Sequence, residues 1–189
     1  APTARRGDGI SVGLMRAVDY WAGVPLCALL DAINRLTRPW RRAAPAAPQR
    51  LCFLELSEAG STVLAAAAVQ HARTLCPGVA CYWLIFRQHA EGLRLLNLIE
   101  PERILTIRTG GFWVFAWDTA AVLWRLRRLR VDAVLDLELF SRFATVLSFL
   151  SGAPVRVGFH HGCNEGLYRG NLLTHRVWYN SYVHITQTF

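Results

Sequence analysis

Three stretches of this 189-residue chain gather side chains suited to acid–base, hydroxyl-binding or anion-binding chemistry. The first is Ser57-Glu58-Ala59-Gly60-Ser61. A glycine in a short turn permits close approach of a backbone to a ligand, and a carboxylate in such a turn can act as a general base. Glu58 is the base candidate; its plainer reading is a surface glutamate. Ser61 reads either as a site hydroxyl beside Gly60 or as a helix N-cap. The second stretch is Asp136-Leu137-Glu138-Leu139-Phe140-Ser141-Arg142. Alternation along a strand puts Asp136 and Glu138 on one side, where they can orient hydroxyl groups or pair with Arg142. An ion pair and a serine N-cap are the plainer reading of the same residues. The third runs from His160 to His184 and holds Glu165, Tyr168, Arg169, Asn171, Thr174, His175, Arg176, Tyr179 and Asn180. Its neutral donors and acceptors suit a polyhydroxylated ligand, and its aromatics suit stacking on a sugar ring. Arg169 or Arg176 suits a phosphate or carboxylate. The histidines match no metal-ligand spacing, and adjacent His160 and His161 diverge on a strand.

These stretches need a scaffold, and the apolar pattern supplies one. Short β-like runs at 50–56 (RLCFLEL), 79–86 (VACYWLIF), 103–107 (RILTI), 132–137 (DAVLDL) and 155–159 (VRVGF) alternate with helical segments at 61–75, 89–98, 113–129 and 141–150. Alternating strands and helices imply βαβ units, hence an α/β fold with a parallel sheet and helices on both faces. Ligands of such sheets bind beyond the carboxyl ends of the strands, which selects the loops after residues 56, 86, 107, 137 and 159. The first of these loops is neither GxGxxG nor a P-loop, so a dinucleotide dehydrogenase and a P-loop NTPase are disfavoured.

Composition sets the remaining bounds. Hydrophobic residues make up 53% and charged residues 18%, which excludes a disordered chain. A mean hydropathy of +0.24 is high for a domain bathed only in water. The net charge is +8, carried by 21 arginines and no lysine. These arginines are spread over the whole chain without a recognised nucleic-acid motif, so nucleic acid is not expected as a partner. The cluster Arg125, Arg127, Arg128 and Arg130 suits a helix carboxyl terminus. Cys27, Cys52, Cys76, Cys81 and Cys163 form no CxxC pair, which argues against a zinc site or a disulfide framework and for a reducing compartment.

The chain divides into residues 1–42, a Pro/Ala linker at 43–49, and a globular part at 50–189. An amphipathic helix is expected over residues 10–36, with Leu14, Val18, Trp21, Pro25, Leu29 and Leu36 on one face and a kink or split near Pro25. Its uncharged stretch, 20–30, is shorter than the ~20 residues a membrane span requires. With Arg35, Arg38, Trp40, Arg41 and Arg42 behind it, the segment suits an anionic membrane surface. Packing on the domain itself is the alternative.

Four stretches together resemble a known family: 51–69 (LCFLELSEAGSTVLAAAAV) with Pro77-Gly78 behind it, 131–159 (VDAVLDLELFSRFATVLSFLSGAPVRVGF), 167–179 (LYRGNLLTHRVWY), and Tyr182 to His184. In order and spacing they are similar to the N-terminal domain of glycosyltransferase family 9, the ADP-heptose:lipopolysaccharide heptosyltransferases. The resemblance implies a GT-B enzyme of two Rossmann-like domains, inverting and independent of metal. This chain would be the acceptor-binding half, and a further C-terminal domain would bind the nucleotide-sugar, ADP-heptose or similar. No cofactor is implied beyond that co-substrate. A glycolipid or lipopolysaccharide-type acceptor is implied, and a cytoplasmic location, peripheral on the inner face of the inner membrane. The family usually carries an aspartate base directly after the turn glycine. Ser61 stands there in this chain and cannot be a comparable base, which leaves Glu58 for the role. A non-catalytic half that binds a sugar or a partner is the alternative.

Overall fold

The computed structural model describes residues 19–56, 59–139, 141–162 and 168–179. Six strands form one sheet: β1 (Arg50–Leu54), β2 (Ala80–Phe86), β3 (Ile104–Ile107), β4 (Ala133–Asp136), β5 (Val155–Gly162) and β6 (His175–Tyr179). All neighbours are parallel, in the order β3-β2-β1-β4-β5-β6. The order reverses between β1 and β4, which pair from Leu51 with Ala133 to Leu54 with Asp136. In open parallel sheets such a reversal is where ligands bind, in the crevice beyond the carboxyl ends of the two strands.

Side chains alternate across β1. Leu51 and Phe53 join Ala65, Val69, Trp83, Ala90 and Leu93 in one core layer, under α2 (Ala59–Leu75) and α3 (Ala90–Leu95). Cys52 and Leu54 join Leu84, Leu105, Val122, Leu126 and Leu147 in the other, under α4 (Phe112–Arg128) and α5 (Arg142–Leu150). Both faces of the sheet are thus covered, which is why its strands read as continuous apolar runs. Cys52 and Cys81 are fully buried core residues; burial pushes the Cys52 thiol up to about 12, so it stays protonated. Two elements differ in length from the sequence pattern. α3 is a single short helix, preceded by a 3-10 turn at Arg87–His89, and β5 runs on to Gly162 through an irregularity after Phe159.

Residues 19–21 are helical, and α1 (Gly23–Thr37) follows a turn at Ala22. Pro25 stands in the first turn of α1, where its missing N–H removes no helical hydrogen bond; the expected split therefore falls before it. The helix packs on the domain. Cys27 and Leu30 are buried against Val146, Phe149 and Leu172. Close approach is built in: a Cβ on Gly23 would meet Arg142 Cδ at 2.9 Å, and one on Gly170 (φ +63°) would meet the Cys27 carbonyl oxygen at 3.1 Å. Asp31 accepts from the Asn171 backbone N–H at 3.2 Å, and Asn34 donates to the Asn171 carbonyl at 2.7 Å. The linker is fastened at both ends by Asp132, which pairs with Arg42 at 2.9 Å and accepts the backbone N–H groups of Gln49 and Arg50.

The outer face of this N-terminal segment is apolar. Trp21, Leu26, Leu29, Ile33, Leu36 and Trp40 are all exposed. Trp21, Leu29 and Leu36 are the stripe that the sequence pattern singled out; Leu14 and Val18 lie outside the described residues. No helix among the described residues is long and apolar enough to cross a membrane.

Candidate functional site at the switch point of the sheet

The turn after β1 and the loop after β4 meet at the crevice, and one hydrogen bond joins them: the Leu56 backbone N–H donates to Glu138 Oε1 at 2.6 Å. Glu138 is buried and follows β4 by two residues; its own N–H donates to Asp136 Oδ1 at 3.2 Å. A carboxylate thus fixes the backbone one residue before the Ser57-Glu58 turn. Glu58 itself lies outside the described residues. Gly60 and Ser61 fall in the first turn of α2, whose backbone begins at Ala59; the side chain of Ser61 is outside the described residues.

Asp136 is wholly buried at the end of β4. It accepts from Thr145 Oγ1 at 3.2 Å and lies 3.9 Å from the Arg169 guanidinium. Burial pushes its carboxyl up to about 7, against the pull of Arg169. Arg169 is buried too and donates to the carbonyls of Phe159, Glu138 and Leu139. It therefore ties the segment at 168–172 to the carboxyl ends of β4 and β5. Burial pushes its own pKa down, and Asp136 opposes that.

Arg142 pairs with neither carboxylate of its own loop. Its Nη1 lies 3.1 Å from Asp19 Oδ2, and its Nε donates to the Tyr168 carbonyl at 2.9 Å. Asp19 also accepts the backbone N–H groups of Arg142 and Phe143, at 2.9 and 3.1 Å. Ser141 caps the same helix by accepting from Ala144 N–H at 3.2 Å. The first turn of α5 is thus capped twice, once by a residue 123 positions away. Nothing local in the sequence marks Asp19 for this role.

The structure therefore brings Glu138, Arg142 and Arg169 together with the backbone of Tyr168, whose side chain is half-exposed beside them. His175 does not join them. It opens β6 opposite Val157 of β5, two strands away from β4, and its Nδ1 shares a 2.9 Å hydrogen bond with Thr174 Oγ1. Glu165 and Asn180 lie outside the described residues. Among the described residues, no three His, Cys, Asp or Glu side chains gather closely enough to hold a metal ion.

One feature of the carboxyl edge escaped sequence reasoning. After β3, the chain turns at Gly110-Gly111, and Phe112, Trp113 and Trp117 stand exposed at the start of α4. Asp118 fastens this turn by accepting from Arg108 Nε, Nη2 and backbone N–H at 2.8, 2.8 and 2.9 Å. Those bonds hold the Asp118 carboxyl down at about 2. The signal was present as the run GGFWVFAW, but helical periodicity alone does not say which aromatics face outward.

No family model and no curated protein matches the chain. Solved structures do. Escherichia coli heptosyltransferase WaaC with ADP-2-deoxy-2-fluoro heptose superposes with a TM-score of 0.60 at 14% identity, over 74% of this chain and 45% of that one. The same enzyme with ADP gives 0.58 at 16% identity, over 74% and 44%. A family 9 glycosyltransferase from Veillonella parvula gives 0.56 at 14%, over 72% and 38%. The chain thus spans less than half the length of each. At this identity the likeness is one of architecture: the chain has the Rossmann-like parallel α/β fold that makes up part of these glycosyltransferases.

Proposed function

We propose that this chain is the acceptor-side half of an inverting, metal-independent GT-B glycosyltransferase. The reaction moves a heptose-like sugar from a nucleotide-sugar, held by a donor domain, to a glycolipid or lipopolysaccharide-type acceptor. The observation that carries this reading is the 2.6 Å bond from Leu56 N–H to Glu138, which holds the residue before Ser57 at the switch point of the heptosyltransferase-like sheet. Glu58, two residues on, takes the proton of the acceptor hydroxyl. The freed oxygen attacks the anomeric carbon, and the nucleoside diphosphate leaves with the bonding electrons. Glu138, Arg142 and Arg169 hold the loops that shape the acceptor pocket, with Gly60, Ser61, Tyr168, Glu165 and Asn180 as further contacts; His175, at the start of β6, has no part in it. In the intact enzyme, Glu58→Gln should lower turnover about 100-fold or more, read as sugar transfer from a nucleotide-heptose to a lipid acceptor. Unchanged turnover would remove Glu58 as the base.

Ser61, standing where the resemblance expects an aspartate, favours a second reading: a half-domain that binds a sugar or partner without catalysis. Acceptor binding without transfer in the intact protein would select it. The exposed stripe of α1 supports a place on an anionic membrane surface, peripheral and cytoplasmic. Leu29→Glu should reduce recovery with anionic vesicles several-fold in flotation, since Leu29 meets no core.

A further inference from the structure

The amino edge of the sheet carries a second site. There α1, the 3-10 turn Arg38–Trp40 and the loops entering β5 and β6 enclose a groove of about 1030 Å³. Six arginines line it, with a single carboxylate, Asp31. Asp31 is already paired with Arg35 at 2.9 Å, and Arg42 with Asp132 at 2.9 Å. Arg38, Arg41, Arg127 and Arg156 have no carboxylate at ion-pair distance among the described residues.

Their setting is unusual for a solvated basic face. Arg156 is buried, its Nε and Nη1 donating to the Leu172 and Ala153 carbonyls at 2.7 and 2.6 Å. Arg41 and Arg156 both lie over the ring of Phe149, their Cζ atoms 4.6 and 5.6 Å from its centroid. Arg41 Nε is enclosed and has no hydrogen-bond acceptor. Burial, with Arg41 beside it, pushes Arg156 down to about 10, so it stays charged at neutral pH while its positive charge is disfavoured. Two like charges at one ring, one of them with an unused donor, are offset by carbonyls and the ring face but by no carboxylate among the described residues, so an anion would stabilise them further.

We infer that this groove is a binding site for a phosphate group, formed by Arg38, Arg41, Arg127 and Arg156 at the seam between α1 and the sheet. Guanidinium forks match phosphate oxygens bidentately, and a dianion answers several arginines at once. The site is separate from the transfer crevice: the four- and five-residue strands β4 and β1 put roughly 15 Å between the two edges. Two sources supply the same chemistry, a soluble phosphorylated compound or the headgroup of an anionic lipid. Trp40 and Ile33 belong to both the groove wall and the exposed stripe of α1, so a lipid lying along that stripe would bring its phosphate to the groove.

The test uses the whole chain with two probes: pyrophosphate by calorimetry, and vesicles of phosphatidylcholine with or without phosphatidic acid by co-sedimentation. Arg41→Gln and Arg38→Gln should each weaken one or both interactions about tenfold, corresponding to ~1.4 kcal/mol. Arg94→Gln, the same charge change on α3 across the sheet, should leave them intact. Pyrophosphate binding without preference for phosphatidic acid identifies a soluble ligand. Vesicle binding that requires phosphatidic acid and is competed by pyrophosphate identifies a headgroup. Should Arg41→Gln unfold, the exposed Arg38 decides. The inference is overturned if neither probe binds, or if Arg94→Gln weakens binding as much as the groove variants. Sugar transfer is not read in either arm, so its outcome does not depend on the catalytic assignment.

Discussion

The two edges of this sheet use the same residue types to opposite ends. At the carboxyl edge, Arg142 and Arg169 meet Asp19, Asp136 and a set of carbonyls, and their charge is largely answered from within the protein. At the amino edge, four arginines converge with no carboxylate of their own among the described residues. The first arrangement fixes loops around a crevice; the second leaves charge to be answered by something outside the chain. Compensation, rather than the count of arginines, separates a scaffold from a binding surface.

That contrast can be broken experimentally. The largest effect is expected at the carboxyl edge: Arg169→Leu leaves Asp136 buried beside Glu138 without its cation and should cost about 3 kcal/mol or more in denaturant unfolding. Adding Asp136→Asn should recover part of the loss. Asp136→Asn alone should alter pH dependence. Its raised pKa means the folded state retains a proton that the unfolded chain releases, so the wild type loses stability as pH rises from about 4 to about 7. A melting series across that range should be flatter in the variant. A smaller loss is expected where α1 docks. Gly170→Ala places a side chain at φ +63° and 3.1 Å from a backbone oxygen, which should cost about 1–3 kcal/mol and raise hydrogen exchange in α1. The smallest effect lies at the α4 turn. Hydrogen bonds from Arg108 hold the Asp118 pKa at about 2, so its contribution is present above about pH 4 and is lost as pH falls through 2. In Asp118→Asn that acid limb should shrink; an identical limb would show that the exposed pair contributes nothing.

Much of the architecture is legible in the residues. Runs such as ACYWLIF carry apolar side chains on both faces, which only a sheet covered on both sides can bury. Leu29 and Leu36 share one face of α1 as their spacing indicated, a face the structure leaves exposed, and Ser141 caps α5 as its position before an apolar run indicated. The partners were not legible. Arg142 sits beside Asp136 and Glu138 in sequence yet pairs with Asp19, because the first turn of a helix points its free N–H groups, and its arginine, toward whatever packs on that end. Arg127 was accounted for by the dipole of its own helix, yet its Nε donates to the Leu150 carbonyl and its side chain lines the groove. His175 and Arg169 are six residues apart in a segment that read as one polar cluster, but Arg169 bonds the carbonyls of the β4 loop whereas His175 opens β6, two strands away, and bonds Thr174.

By itself the sequence determined the class of fold, the alternation of strands and helices, and the presence of an amphipathic leading helix. These follow from periodicity, which each segment carries within a few residues. Only the tertiary structure decided which charges are answered and which are left over. An ion pair depends on distances of a few ångströms between segments that may be over a hundred residues apart, such as Asp19 and Arg142. The same separation governs the groove: α1 and the segment after it, α4 and β5 each supply arginines that are unremarkable alone, and their assembly on one seam makes them a site.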